Sequence, residues 1–146
     1  MMRPLHGTAL LAAVLVLAGC AASTAPSSAL DARRPALLWF FSDSATVSLP
    51  DTVRRWQPLP VTFKSYGGGG ISQGETDVAV RGLVAVIRPY RYEASGSVAG
   101  TDILLIFQHV ATVQFTQLGQ AQVRILGERR PGNEPFEIVR TVTVTP

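Results

Sequence analysis

Two histidines, one cysteine and ten acidic residues are the groups in this 146-residue chain whose types could support catalysis or metal binding. Nucleophilic catalysis needs a nucleophile, a base within hydrogen-bond reach and a third group that orients the base. His6 falls in an N-terminal segment read below as a removable leader. That leaves His109, set between Gln108 and Val110 in a strand-like run. No Gly-x-Ser-x-Gly elbow accompanies it, so His109 reads as a structural or partly exposed residue and the chain as non-enzymatic. Zinc needs a set of nitrogen and sulfur ligands that one imidazole and one thiol cannot supply. Glu75 and Asp77 lie two apart and would share a strand face, with Asp102 able to approach from another loop. Such carboxylates could serve calcium or glycoside hydrolysis, but they read as polar strand-edge groups. No catalytic residue, metal ligand or cofactor is therefore assigned. Tyr66, Tyr90 and Tyr92, with Arg88 and Arg91, are the candidate binding surface, an aromatic and basic set suited to glycan or protein contact. The alternative is an ordinary outward strand face. Gly67–Gly70 is followed by Ile71-Ser72-Gln73-Gly74 rather than by a helix start, so it reads as a loop and not as a phosphate cradle.

The cysteine has a more specific context. Arg3 and His6 precede an apolar run from Ala9 to Leu17, and Leu17-Ala18-Gly19-Cys20 closes it. A charged start, a short apolar stretch and a small-residue cleavage site make a secretory signal. The run is shorter than the roughly 20 apolar residues of a spanning helix. Leu-Ala-Gly-Cys resembles the lipobox of bacterial lipoproteins. The resemblance implies that Cys20 is alkylated by diacylglycerol, that residues 1–19 are cleaved away, and that the new amino terminus is acylated. Two or three acyl chains on one residue would anchor the chain stably, which one chain does not. Ala21 and Ala22 lack an acidic inner-membrane retention signal, so the anchor is expected in the outer membrane of a bacterial envelope.

Composition limits the partners. The formal net charge is +3, and loss of Arg3 with the leader lowers it further. The basic residues fall partly in the pairs Arg33-Arg34, Arg54-Arg55 and Arg129-Arg130 rather than in a stripe interleaved with aromatics. Nucleic acid is therefore not an expected partner. With no second cysteine, no intrachain disulfide can form, and stability must come from packing.

The elements that would position these groups read as strands. Residues 20–36 form the lipidated cysteine and a tether rich in Ala, Ser and Thr, and residues 37–146 form one domain. Ala36–Phe41 is either a first strand or plug on the domain, or an aromatic cluster at the membrane interface. Alternation follows at Thr46–Leu49 and Val61–Tyr66, then at Thr76–Arg81 with Val78 and Val80 inward. Leu83–Ile87 is continuously apolar and is expected to end at Pro89, with a strand pattern able to resume through Tyr90 and Tyr92. The stretch Asp102–Phe115 is a buried strand or a short helix. Ala121, Val123 and Ile125 share a face, and Thr141–Thr145 alternates to the end. Roughly seven short strands imply an all-β fold, an antiparallel β-sandwich.

Val47-Ser48-Leu49-Pro50-Asp51-Thr52-Val53, Pro60-Val61-Thr62-Phe63, the Leu118-Gly119 turn before Gln120–Ile125, and Arg140–Val144 together resemble a bacterial immunoglobulin-like domain across Ala45–Thr145. More weakly, the middle of the chain is similar to uncharacterised bacterial lipoproteins with cysteines near the positions of Gly70 and Gly100. The expected function is thus a lipid-anchored envelope protein with a non-enzymatic binding or structural module. The alternatives are an accessory subunit of an envelope assembly or transport complex, or a cell-wall or glycan hydrolase. Its expected partners are the membrane, through Cys20, and an envelope protein or glycan.

Overall fold

The computed structural model describes residues 32–40, 43–44, 46–95 and 103–146. Cys20, the leader, most of the tether and Asp102 lie outside them. The described residues form eleven strands and no helix: β1 (Ala32–Pro35), β2 (Leu37–Phe40), β3 (Asp43–Ser44), β4 (Val47–Ser48), β5 (Thr52–Arg54), β6 (Pro58–Gly67), β7 (Ile71–Arg81), β8 (Val84–Glu93), β9 (Leu105–Gln114), β10 (Gly119–Arg130) and β11 (Glu134–Thr145).

All eleven join one curled sheet. Its main path runs β7-β8-β10-β2-β6-β9, with β11 and β5 continuing from β10. The curl brings the two ends of the path together, because Gln73 on β7 donates to the backbone oxygen of Gln108 on β9 at 2.7 Å. The pairing is mixed, and the wholly antiparallel arrangement expected from sequence is not what forms. β10 runs parallel to β8 and to β2, and β11 runs parallel to β5.

Period-two patterning fixes the inner face. Leu59, Val61 and Phe63 of β6 bury against Ala111 and Val113 of β9, and against Ala85, Ile87, Val123, Ile125, Val142 and Val144 from the opposite wall. A fully buried aliphatic side chain contributes about 1.5–3 kcal/mol. The run 102–115, open between helix and strand in the sequence, is strand from Leu105 onward.

Where β8 and β10 separate, the segment 32–40 is wedged between them. β1 pairs antiparallel with β8, and β2 pairs with β10. Between these two strands, the Ala36 N–H donates to Pro89 O and the Glu128 N–H donates to Ala36 O, each at 2.9 Å. Leu37 and Leu38 are consequently buried on both faces. The stretch 36–40 therefore packs within the domain, with Trp39 edge-on to Phe136 at 5.5 Å. Ala32–Pro35, assigned to the tether by sequence, is also strand. Gly127 permits the close approach, since a Cβ there would lie 2.5 Å from Ala36 O and 2.6 Å from the Leu38 side chain.

Two further expectations change. β8 does not end at Pro89 but runs through it to Glu93. The register of β7 shifts between Gln73 and Thr76, and this bulge lies opposite Pro89, where a missing N–H is tolerated. Val78 and Val80 do face the same side as their register partners Ile87 and Ala85. They remain 39% and 37% exposed, however, because they extend past the point where β7 meets β9.

Candidate functional site

The meeting of β7 and β9 gathers the most chemically suggestive side chains. On β6 and β9, Phe63 pairs with His109 and Ser65 with Phe107, so Ser65 and His109 share the inner face. Ser65 Oγ lies 2.8 Å from His109 Nε2. On the other side of the ring, Thr76 Oγ1 lies 3.0 Å from Nδ1, with Gln73 Nε2 at 3.5 Å. The Phe63 ring stacks on the imidazole at 4.9 Å and nearly parallel.

A hydroxyl on one imidazole nitrogen and an orienting oxygen on the other is the layout of a nucleophile and its base. Two features turn it toward a structural role. Ser65 and His109 are each only 2% exposed, so the hydroxyl is sealed from any substrate in this conformation. The orienting group is a neutral threonine rather than a carboxylate. Either neutral tautomer satisfies both ring nitrogens: Ser65 donates to Nε2 while Nδ1–H donates to Thr76, or the reverse. Burial pushes the His109 pKa below its ordinary value, favouring this uncharged form. The cluster acts as a polar pin that holds the free ends of the curled sheet together.

The candidate surface splits in two. Tyr66 and Arg91 are buried, so neither joins a surface. Tyr66 lies on the opposite side of β6 from Phe63, but β2 covers it there: Leu37 is its register partner and the Phe40 ring is 6.1 Å away. Arg91 continues the inner row Ala85, Ile87, Pro89 and is 1% exposed. Its Nε donates to Glu93 at 2.9 Å, its Nη2 to Glu128 at 2.9 Å and its Nη1 to Pro35 O. These bonds tie β8 to β10 and β1 at the wedge.

Arg88, Tyr90 and Tyr92 are brought together on the outer face of β8. Arg33 of β1 stacks over the Tyr90 ring, its guanidinium carbon 3.4 Å from the centroid. It also pairs with Glu75, and with Asp77 at 3.3 Å. The Tyr92 hydroxyl donates to Glu75 at 2.7 Å. Glu75 is held below the usual carboxylate range by its own backbone N–H first and then by the Tyr92 hydroxyl, and this bond raises the Tyr92 pKa in turn. Glu75 and Asp77 do share a face, as their spacing implied, and both pair with Arg33, which leaves the trio one negative charge in excess. Among the described residues no group of three His, Cys, Asp or Glu side chains is placed to hold a metal ion.

A third feature escaped the sequence reading. Among the described residues β9 pairs with β6 on one side and with no strand on the other, where the Gln73 and Thr76 side chains of β7 reach it. Ile106 and Val110 project from the outer face of this strand, 54% and 69% exposed, and Ile103 and Leu104 just before it are exposed as well. The signal available was the absence of any charged residue from Ile103 to Val123. Comparison with protein-family models, curated proteins and solved structures gave no match to this chain.

Proposed function

We propose that this chain is a lipid-anchored protein of the bacterial envelope whose β domain is a non-enzymatic interaction module. It binds an extended segment of another envelope protein along β9. The anchor reading rests on Leu17-Ala18-Gly19-Cys20 and the apolar run before it. The fold reading, an immunoglobulin-like sandwich folded from the curled sheet, is supported by alternating burial on its two facing walls. The parallel pairs of β10 are a departure from that pattern.

One observation carries the binding role. Natural edge strands are short, charged, bulged or covered, because an open ladder recruits other strands. β9 is ten residues long and lacks Lys, Arg, Asp, Glu, Pro and Gly, yet it lies at a sheet edge with Ile106 and Val110 exposed. Strand addition would supply the backbone partners that β7 leaves unmade, Gln108 O being already bonded to Gln73, and would cover those side chains. The sealed Ser65–His109 pair favours binding over hydrolysis.

A photo-crosslinking residue at Val110 in the full chain, expressed in an exporting bacterium, tests this. The expected product links position 110 to one short segment of a single envelope protein, and adding Ile106→Lys to the same probe-bearing chain abolishes it without changing the melting temperature. The same probe at Thr141 stays unlinked. Absence of a product, or equal labelling from both positions, would overturn the reading.

A further inference from the structure

The outer face of the β7–β8 hairpin presents a shallow concavity of about 420 Å³ lined by Ala79, Arg81, Val84, Val86 and Arg88. Register places Arg81 beside Val84 and Ala79 beside Val86, so the two arginines flank an apolar floor. Arg33, Arg34, Arg91, Arg124 and Arg129 each pair with a carboxylate. Arg81 and Arg88, like Arg54, Arg55, Arg130 and Arg140, make no ion pair among the described residues; Asp77, the register partner of Arg88, pairs with Arg33 instead.

We infer that this concave face docks on an anionic lipid bilayer, the arginines meeting headgroup phosphates while Val84 and Val86 press toward the interface. The inference rests on the lipid-anchor reading proposed above. Charge complementarity and the reach of the anchor both favour a bilayer as the occupant. Ala32 follows Cys20 by a dozen residues, which extend at most about 40 Å. Ala32 is the register partner of Glu93, and from there Arg88 lies about 17 Å and Val84 about 30 Å along β8. The whole face is therefore within the leash of a membrane held at Cys20. Each arginine brought to an anionic surface shifts the docked population roughly fivefold.

Arginine footprinting with phenylglyoxal tests this on the full-length processed protein, reconstituted into vesicles of phosphatidylcholine alone or with phosphatidylglycerol. Peptide mass spectrometry then reads each modified residue. Arg81 and Arg88 should be modified several-fold more slowly in the anionic vesicles, while the exposed Arg54 and Arg140 serve as references and change little. The paired variant Arg81→Gln/Arg88→Gln should lose the lipid-dependent protection of backbone amides in Val84–Val86 by hydrogen exchange. Equal modification in both vesicles overturns the proposal. So does equal protection by inorganic phosphate in solution, which would make this a soluble-anion site. The mass of the N-terminal peptide from the same sample separates the two readings. An acylated Cys20 with unprotected arginines refutes docking alone, and protected arginines with an unmodified Cys20 refute the anchor alone.

Discussion

Replacing Arg91 with Met should destabilise the domain by about 3 kcal/mol. The guanidinium is 1% exposed and bonded to Glu93, Glu128 and the Pro35 carbonyl. Breaking a buried ion pair by removing one partner costs about 3–5 kcal/mol, mostly because the other charge is left uncompensated. Here the lower end applies, since the Glu93 and Glu128 side chains keep 27% and 14% of their surface and water can reach them. At about 4–8 °C per kcal/mol for a small domain, the melting temperature should fall by at least 10 °C. Arg91→Lys should also destabilise, because one ammonium cannot reproduce a planar fork that spans three partners. The double variant Arg91→Met/Glu128→Leu should recover most of the loss, as well-packed apolar replacements of buried ion pairs often do. Urea unfolding followed through Trp39 and Trp56 fluorescence would measure the parent, these three variants and Glu128→Leu alone, which completes the cycle between positions 91 and 128. An Arg91→Met variant within about 0.5 kcal/mol of the parent, or no coupling between positions 91 and 128, would refute the wedge as described.

Other outcomes follow from the same geometry. His109 is held neutral with a pKa below its unfolded value, so stability should be full above about pH 6.5. It should fall as the pH drops from there toward the folded pKa, where only the unfolded chain gains the proton. Denaturant titrations at several pH values should show that acid-side slope, and His109→Gln should flatten it. Glu137 is held below the usual carboxylate range by its hydrogen bonds to Arg124. Its contribution should persist above the unfolded carboxylate pKa and disappear as the pH falls through the depressed one, a loss that Glu137→Gln removes from the acid titration. Gly127→Val should cost more than about 2 kcal/mol, because its Cβ would meet the Ala36 carbonyl and Leu38. Its unfolding midpoint in urea should drop with the m-value unchanged.

Much of the inner wall was legible because alternation encodes a face directly. Ala121, Val123 and Ile125 read as one side of a strand and are the buried side of β10. The buried arginine was less legible, although parity carried the clue. Ala85, Ile87, Pro89 and Arg91 occupy one row, but the expectation that Pro89 ends the strand broke the row before its last member. The bulge that tolerates Pro89 belongs to β7, a different part of the chain, so no local pattern announces it. Ala32–Pro35 read as the end of the tether because the segment has no apolar periodicity; all four residues are exposed, and backbone pairing with β8 makes them strand. Tyr66 looked like surface because the cover supplied by β2 comes from distant sequence. The Ser65–His109 contact likewise spans 44 residues and depends on the β6–β9 register. Apolarity at Ile103–Ile106 suggested burial, and it instead marks the exposed strand and its approach.

The most direct measurement of the central claim is the intact mass of the mature N-terminal peptide, purified from the envelope of an exporting bacterium. That peptide should begin at Cys20 and carry a diacylglyceryl thioether and an N-linked acyl chain. A free Cys20 thiol, or a mature chain that starts elsewhere, would contradict it.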